Sequence, residues 1–403
     1  MSSCVALVRC SSYEPDEVYS AVKRGLELTG GIDSSFSNGE SILLKPNMLS
    51  PSPPEKCATT HPGVFGAVAG ILKKRGFDLS YGESPGFGDP VRIAKKCGIA
   101  AAAADLNIRY ADFSSGKGVL FESGYSKRSF TLAHGVTDSD ALLNICKLKT
   151  HGLTRLTGAV KNIYGCLNGL QKAGFHAKYP HANDFSRFVI DLNLYIKPRL
   201  HIMDGIISME GNGPNSGTPK KTGVLLFSRD PVALDTVASV IIGLDPENVP
   251  TTVIGNKRGL GTSDLGSIEI RGDSLDDCKC SDFRVVNKPA VSAASKGIKG
   301  VIQRSMQPGP VIEESECIKC RKCIQICPVE PKALSQKSKD SVPEYNYSRC
   351  IRCYCCQESC PVGAIRIKDQ VSTRFYTMLT GIFSSIFIGL VRLFTPSPYK
   401  RED

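Results

Sequence analysis

Two runs of cysteines in the last quarter of the chain constrain its fold more than any other feature of the sequence. Nine of the 17 cysteines lie between Cys317 and Cys360, in the segments CIKCRKCIQICP and CIRCYCCQESCP. Each segment follows the spacing C-x2-C-x2-C-x3-C-P. A cubane iron–sulfur cluster needs four thiolates around one cage, and runs of this spacing supply them. A zinc site usually shows two C-x2-C pairs, so the spacing favours iron–sulfur clusters over zinc.

The eight motif cysteines divide into two sets of ligands. The segment resembles the bacterial two-cluster ferredoxin, in which the fourth cysteine of each run ligates the other cluster. The resemblance implies two 4Fe-4S clusters, one held by Cys317, Cys320, Cys323 and Cys360 and the other by Cys350, Cys353, Cys356 and Cys327. Cys355 falls outside the spacing and is predicted to be a spare thiol beside the clusters.

The net charge and the remaining cysteines limit the possible partners and the cellular compartment of this protein. The formal net charge is +11, but the chain has no run of five Lys or Arg residues and no tryptophan, so no nucleic-acid partner is expected. An anionic metabolite or an anionic membrane surface suits this charge. The other eight cysteines are scattered from Cys4 to Cys280, and the opening apolar run is only as long as a strand. We therefore expect a reducing, cytoplasmic compartment.

The first 283 residues alternate strand-like and helix-like segments. SILLKP, ALLNICKLK and LHIMDGII are predicted strands. The predicted helices include HPGVFGAVAGILKKRG, DPVRIAKKCGIAAAAADLN, TRLTGAVKNIYGCL and PVALDTVASVIIGL. This alternation predicts an α/β domain over residues 1–283, with a mainly parallel sheet and flanking helices. Residues 284–312, rich in Ser, Ala, Gly, Lys and Pro, are a predicted linker. Residues 313–369 are predicted to form a small α+β ferredoxin-type domain.

Polar residues follow several of these strands, at the edge where parallel sheets bind their ligands. The candidates are Lys45 and Asn47 in LLKPN; Thr59, Thr60 and His61 in CATTHPG; Glu83 in GESPGFGD; Lys147, Lys149, His151, Arg155, Lys161 and Asn162 in KLKTHGLTRLTGAVKN; His176 in FHAKYPH; and Glu210 in MEGNGPNSG. Each also has a purely structural interpretation, as a solvated lysine, a turn residue or a helix cap. No GxGxxG or Walker A loop is present, so no nucleotide site is predicted.

Six motifs, in a fixed order, resemble those of the domain of unknown function 362 family. They are ILLKPN, TTHPGV, GESPG, CKLKTHGLTRLTGAVKN, MEGNGP and RDPVALD, and the resemblance covers about residues 1–280. Members of this family often carry a two-cluster ferredoxin module at the C-terminus, as here. The resemblance implies an iron–sulfur protein of a kind found mostly in anaerobic bacteria and archaea. It implies no particular reaction, so the roles of the motif residues depend on their chemistry.

The stretch from Lys147 to Gly165 is rich in cations and contains no acid. We predict that it helps to bind a multiply anionic small molecule, a carboxylate or a phosphate. The predicted substrate-binding residues are Lys147, Arg155, Lys161 and Asn162, together with Lys45, Asn47, Thr59, Thr60, His176 and Glu210. His151, Lys149 and His61 are the predicted catalytic residues, because a histidine titrates near neutral pH and can act as a general acid.

The segment RFYTMLTGIFSSIFIGLVRLF predicts an amphipathic helix over residues 372–394. Its apolar side chains, from Phe375 to Phe394, fall on one helical stripe. Three interpretations are open: a helix in the membrane interface, a helix packed on its own protein, and a short spanning helix. The first would bring residues 375–394 into peripheral contact with the inner face of the membrane.

Three functions fit these features. An iron–sulfur oxidoreductase would pass low-potential electrons to the bound anion, and a cationic wall would stabilise the negative charge that develops. A ferredoxin-like electron-transfer protein would have no catalysis of its own. A non-redox enzyme would use its clusters only as structural supports. In the first two functions, a redox partner protein gives or accepts the electrons.

Overall fold

A computed structural model of the chain describes residues 3–288, except positions 87, 127 and 170, and residues 307–368. The predicted helix over 372–394 and most of the predicted linker lie outside these described residues. Among the described helices, none is both long enough and apolar enough to cross a membrane.

Strands and helices alternate along the first 272 residues, as the sequence predicts. The strands are β1 (Ser3–Arg9), β2 (Ser41–Pro46), β3 (Asp78–Tyr81), β4 (Arg109–Tyr110), β5 (Gly116–Leu120), β6 (Ser129–Ala133), β7 (Ala141–His151), β8 (Arg155–Leu156), β9 (Leu200–Glu210), β10 (Thr218–Ser228), β11 (Ile268–Gly272), β12 (Gly309–Ile312), β13 (Leu334–Ser335), β14 (Glu344–Tyr345) and β15 (Ile365–Lys368). The helices are α1 (Pro15–Leu28), α2 (Pro62–Lys74), α3 (Pro90–Lys96), α4 (Ile99–Asp105), α5 (His134–Thr137), α6 (Gly158–Asn162), α7 (Gln171–Lys178), α8 (Ala182–Ile196), α9 (Pro231–Ile241), α10 (Pro250–Lys257), α11 (Lys322–Gln325) and α12 (Cys355–Glu358).

A mixed, mainly parallel sheet organises the first domain. Its strand order is β11-β1-β10-β9-β7-β2-β3-β4, with β8 paired to β7. Along this order only β10 runs against its neighbours, since β1 and β9 both pair with it in the antiparallel sense. The pairs β7–β2, β2–β3 and β7–β9 are parallel. The carboxyl ends of these four central strands therefore share one edge of the sheet.

Helices cover both faces of the sheet, which is why its central strands are apolar almost throughout. Alternate residues of β2 show the division: Ile42 and Leu44 pack in the cluster formed with α1 and α2, whereas Leu43 packs with α8 on the other face. Each of these side chains is fully buried. The predicted fold class, an α/β domain followed by a small ferredoxin-like region, is confirmed.

Two predicted helices differ in detail from the structure. The segment DPVRIAKKCGIAAAAADLN forms α3 and α4 rather than one helix, because Gly98 between them adopts a left-handed φ of 81°. In TRLTGAVKNIYGCL, residues Arg155–Leu156 pair with the end of β7 as β8, so the helix there is short. Asp230 is an N-cap, as its position before Pro231 predicts, and its carboxylate accepts hydrogen bonds from two backbone N–H groups of α9.

The ferredoxin-like region consists of short paired strands and two single-turn helices. β12 pairs with β15 and β13 pairs with β14, so Gly309–Ile312, inside the predicted linker, belongs to this region as a strand. The region lies against the carboxyl edge of the large sheet. Nε2 of Gln357 donates to the carbonyl oxygen of Asn212 at 2.9 Å, and Nδ2 of Asn212 donates to the carbonyl oxygen of Ile365 at 3.0 Å.

Candidate functional site

A cavity of about 500 Å³ lies where the carboxyl ends of the central strands meet the ferredoxin-like region. This volume is in the usual range for sites that bind small molecules. The α/β domain contributes Asn47 and Lys149 to its wall, from the ends of β2 and β7. The ferredoxin-like region contributes Cys355 and Glu358, the first and last residues of α12. Both parts of the chain therefore form one cavity.

A buried ion pair supports the wall of this cavity. Nζ of Lys45, a fully buried side chain, lies 2.6 Å from Oε1 of Glu83 and 3.0 Å from the carbonyl oxygen of Pro46. Glu83 also accepts a hydrogen bond from the backbone N–H of Met48. The backbone of Gly165 crosses so near that a Cβ there would lie 2.3 Å from Oε1 of Glu83. Lys45 thus neutralises Glu83, which lines the cavity, and does not line it itself.

A chain of amide side chains orients Lys149. Its Nζ donates to Oδ1 of Asn47 at 2.8 Å, and Nδ2 of Asn47 donates to Oδ1 of Asn162 at 2.8 Å. Asn162 in turn donates to Oδ1 of Asn144 at 2.7 Å. Nδ2 of Asn144 lies 3.0 Å from Nδ1 of His201, a neutral ring because burial lowers its pKa to about 3. Because each amide has a donor on one side and an acceptor on the other, the direction of the whole chain is fixed.

Three lysines that line the cavity are buried, and their pKa values are lowered. Burial, and then the nearby charge of Lys161, lowers the pKa of Lys149 to about 7. Burial also lowers the pKa of Lys172 to about 7, and it lowers the pKa of Lys161. Ammonium groups that share a buried space repel one another, so each becomes easier to deprotonate.

His151 and Glu358 join the two domains beside the cavity. Nδ1 of His151 accepts hydrogen bonds from the backbone N–H groups of Leu153 and Thr154 at 3.0 and 3.2 Å. The ring proton is therefore on Nε2, which lies 2.9 Å from Oε1 of Glu358. Burial lowers the pKa of His151 to about 4, so the ring is neutral near pH 7. His151 occupies the interdomain contact and does not line the cavity.

Five of the residues predicted to bind substrate or act in catalysis line the cavity: Asn47, Lys149, Lys161, Asn162 and His176. The further candidate Glu83 also lines it. Thr60 lies behind them, where its hydroxyl accepts from the backbone N–H of Asn47 at 2.9 Å and donates to the carbonyl oxygen of Ile145 at 2.7 Å. Thr59 is buried and does not line the cavity. The chemical roles predicted for these residues stay predictions.

The other predicted residues occupy different places. Nζ of Lys147 lies 2.7 Å from Oδ2 of Asp204, its direct partner across β7 and β9. The ring of His61 stacks on Tyr13 at 3.5 Å, and its Nδ1 accepts from the backbone N–H of Gly63 at the start of α2. Lys147 and His61 thus belong to one buried cluster around Asp204, away from the cavity wall.

Two further predicted residues, Arg155 and Glu210, make hydrogen bonds at the edge of the α/β domain. Nη1 of Arg155 donates to the carbonyl oxygen of Gly152 at 3.0 Å, and its Nε donates to that of Lys288 at 2.9 Å. Oε1 of Glu210 accepts from Nε of Arg284 at 2.7 Å. Neither Arg155 nor Glu210 lines the cavity.

Sequence reasoning missed Lys172 and Glu358 as residues of this site. Lys172 lies in a helix that follows no strand, so its position gave no signal. Glu358 lies between Cys356 and Cys360 of the second cysteine motif, and the prediction for that segment considered only its cysteines. A search for acidic residues within the second cysteine motif could have found Glu358, because the end of this motif lies on the surface that meets the α/β domain.

The structure gathers the motif cysteines in the two sets that the sequence predicts. One small cavity is lined by Cys317, Cys320, Cys323 and Cys360, and another by Cys327, Cys350, Cys353 and Cys356. None of the chain's cysteines forms a disulfide. In the described part of the chain, no three His, Cys, Asp or Glu side chains converge on a position for a single metal ion. A cubane cluster differs from a single metal ion because its four thiolate ligands are spread around a cage. The four cysteines that line each small cavity are of the type and number that such a cluster requires.

An α/β domain joined at its ligand-binding edge to a ferredoxin-like region defines an iron–sulfur protein with a role in electron transfer. Residues 42–240 match the family model described as "Domain of unknown function (DUF362)", and residues 309–361 match that of a 4Fe-4S dicluster domain. The chain is also 34% identical over 261 residues to a thylakoid-associated protein of Synechocystis sp., a match that covers 64% of this chain and 81% of the relative. The chain therefore belongs to the DUF362 family and carries a ferredoxin-like 4Fe-4S domain.

Two solved structures show a weaker likeness. The lactate racemase apoprotein of Thermoanaerobacterium thermosaccharolyticum is 12% identical with a TM-score of 0.38, over 57% of this chain and 54% of the racemase. A protein of Thermotoga maritima is 11% identical with a TM-score of 0.35, over 56% of this chain and 57% of its own. The chain thus spans little more than half of each, and neither likeness bears on the site.

Proposed function

We propose that this protein is an iron–sulfur oxidoreductase that exchanges electrons between two 4Fe-4S clusters and an anionic small molecule bound in the interdomain cavity. One observation carries the proposal: α12, which holds the cluster ligand Cys356, also contributes Cys355 and Glu358 to the wall that Lys149 and Lys161 line. Bound substrate and cluster ligands would be neighbours across a single helical turn. The proposed ligands are Cys317, Cys320, Cys323 and Cys360 for one cluster and Cys350, Cys353, Cys356 and Cys327 for the other.

The clusters, when bound, supply one-electron transfers at low potential. A redox partner protein is the proposed source or acceptor of these electrons. The residues of the cavity bind and orient the substrate. Lys149, Lys161 and Lys172 attract its negative charge, and the amide chain behind Lys149 holds that ammonium in place. Because the pKa values of Lys149 and Lys172 are lowered to about 7, either side chain can give or take a proton at neutral pH.

An anaerobic reoxidation assay tests this proposal. The reconstituted protein is reduced with limiting dithionite, small metabolites pooled from a cell extract are added, and the visible absorbance of the clusters is followed. We expect reoxidation by the pool, and its loss in Lys161→Met. Lys23→Met is the matched control, because Lys23 lies on α1 with 63% of its side chain exposed. Equal reoxidation of Lys161→Met and the wild type would contradict the proposal.

A specific observation favours one second candidate, an electron carrier without its own catalysis. Ile318 and Val362 line the same small cavity as Cys320 and are 59% and 44% exposed. Apolar side chains exposed beside a cluster suit contact with a redox partner protein. Reoxidation by the protein fraction of the extract, with none by the small molecules, would select the carrier.

Peripheral contact with a membrane is a further part of the proposal. It is supported by the amphipathic pattern of residues 375–394 and by the relative described as thylakoid-associated. Truncation after Asp369 is expected to move the protein from the membrane pellet to the supernatant. An unchanged distribution of the truncated protein would rule this contact out.

A further inference from the structure

We infer that the cavity binds a small dianion, which Lys149, Lys161 and Lys172 hold together. This inference rests on the proposed function in that both concern the same cavity, and it deepens that function by fixing the charge of the ligand. Phosphate groups and compact dicarboxylates share this chemistry.

The hydrogen bonds of the three lysines leave their charges uncompensated. Nζ of Lys149 donates to Oδ1 of Asn47 and to the carbonyl oxygen of Ala58. Nζ of Lys172 donates to the carbonyl oxygens of Ser84 and Pro85. These acceptors are uncharged. The side chain of Lys161 is almost fully buried, and its Nζ makes no hydrogen bond or ion pair within the described residues. A buried ammonium group without a carboxylate partner is costly, and a bound anion removes that cost.

The carboxylates around the cavity balance only part of this charge. Glu83 is paired with Lys45 at 2.6 Å. Asp89 caps α3 and accepts from the backbone N–H of Arg92, whose side chain also lines the cavity. That leaves Glu358 to face three ammonium groups. One carboxylate against these three buried cations leaves a place for two further negative charges, and half-buried Lys322, which also lines the cavity, adds to the excess of cations.

Two polar atoms beside the lysines also have no hydrogen-bond partner. Oγ1 of Thr157 and Nδ1 of His176 are buried and unpaired, and both residues line the cavity. Burial lowers the pKa of His176 to about 4, so its ring is neutral and has one nitrogen that can accept and one that can donate. Polar groups that are left unpaired in a buried wall are commonly satisfied by the ligand.

The surroundings of each lysine explain why the anion should carry two charges and not one. Lys149 faces Lys161 and Lys147 as well as Glu83 and Glu358. The groups around Lys172 are Glu83, Lys45, Cys166 and Lys161. Besides Lys149 and Lys172, the groups that act on Lys161 include Glu358, Cys355, Glu83 and Lys45. Lys161 thus interacts with both other lysines, so a monoanion that pairs with it leaves Lys149 and Lys172 unbalanced.

Isothermal titration calorimetry on the reconstituted, oxidised, full-length protein tests this inference without any turnover. The probes are inorganic phosphate and succinate as dianions and acetate as a monoanion, all at pH 7.5. We expect at least one dianion to bind about tenfold or more tighter than acetate, since each added charge-assisted hydrogen bond contributes about that factor. Whichever of phosphate and succinate binds more tightly then indicates whether the natural ligand carries its charge on a phosphate group or on two carboxylates.

Variants and buffers sharpen this test. Lys161→Met and Lys172→Met should each weaken dianion binding about tenfold or more, and Lys23→Met should leave it unchanged. Retention of the visible cluster spectrum shows that each variant is folded. Binding should also take up protons, measured by repeating the titration in two buffers of different ionisation enthalpy, because the anion raises the pKa values of Lys149 and Lys172 from about 7.

The outcomes separate the inference from the proposed function. Dianion binding that matches acetate binding, that is undetectable, or that survives in both lysine variants overturns the inference. If dianions bind but no small molecule reoxidises the clusters, the inference stands and the oxidoreductase proposal fails. If a neutral or singly charged metabolite reoxidises the clusters and dianions do not bind, the proposed function stands and the inference fails.

Discussion

Nε2 of His151 lies 2.9 Å from Oε1 of Glu358, and this contact joins the end of β7 to α12, the short helix inside the second cysteine motif. Both side chains are largely shielded from solvent. Although burial opposes the ionisation of Glu358, His151 and Lys161 hold the pKa of its carboxyl well below the usual range. The same contact thus fixes an acid at the cavity wall and couples the position of α12 to the large sheet.

Removal of the imidazole should weaken the joined structure. In His151→Ala, Glu358 stays buried and loses the imidazole that lies 2.9 Å from its carboxylate. We expect the free energy of unfolding to fall by about 1–3 kcal/mol, the usual cost of a buried polar group left without its partner. Chemical denaturation followed by circular dichroism measures this change. His134→Ala is the control, since His134 is 41% exposed on the surface and should change little; an equal loss in both variants would count against the interdomain role.

Acid should destabilise the fold partly through the buried histidine at the end of the amide chain. The pKa of His201 is lowered by burial to about 3, below the roughly 6.5 of an unfolded histidine. Between these values the unfolded chain binds a proton that the native ring does not, so stability is lost as pH falls below about 6.5. In His201→Gln the stability curve should be flatter by up to about 1.4 kcal/mol per pH unit. Denaturant midpoints from pH 7 to pH 5 test this, and parallel curves would show that His201 does not contribute.

Gly165 should tolerate no side chain. A Cβ at this position would lie 2.3 Å from Oε1 of Glu83 and 2.8 Å from Nζ of Lys45, and would force the buried pair apart. We expect Gly165→Ala to cost about 3 kcal/mol or more, as when a buried ion pair is broken. Thermal unfolding compares it with Gly174→Ala in α7, where nothing lies within 4 Å of the new Cβ. A Gly165→Ala protein as stable as the Gly174→Ala protein would show that the pair can move.

Substitutions of single cysteines should separate the two proposed clusters. We expect wild-type protein reconstituted anaerobically to contain about eight irons, and Cys355→Ser to keep them, because Cys355 lies outside both ligand sets. Cys360→Ser should perturb the cluster of the first motif and Cys327→Ser that of the second, since each fourth cysteine lines the other motif's cavity. Iron analysis and electron paramagnetic resonance of the reduced protein measure both effects. About four irons in the wild type would contradict the proposed pair of clusters.

Much of the fold could be predicted from the amino-acid sequence because the elements of the fold depend on local sequence patterns. Cysteine spacing predicts cluster loops, since three ligands come from one short run. The apolar strands and the capped helices of the first 272 residues likewise follow from periodicity and from residues such as Asp230 at helix starts. The break at Gly98 was missed because the propensity of the surrounding alanines and lysines favours a continuous helix.

The candidate site was predictable only in part. Lys147 and Lys149 are two residues apart on β7, both are buried, and no local rule distinguishes them. Lys147 lies opposite Asp204, whose carboxylate neutralises it. Lys149 instead lines the cavity, where its Nζ donates to Oδ1 of Asn47.

The sequence by itself determined the α/β architecture, the two cysteine motifs of the 4Fe-4S domain and the cationic character of the segment from Lys147 to Lys161. Only the tertiary structure decided which cations face the cavity, and that Lys172 and Glu358 join them. The physical reason is the range of the interactions. Helix and strand periodicity and ligand spacing act over a few neighbouring residues, whereas the partner of a buried charge is set by segments that are distant in sequence and meet only when the chain has folded.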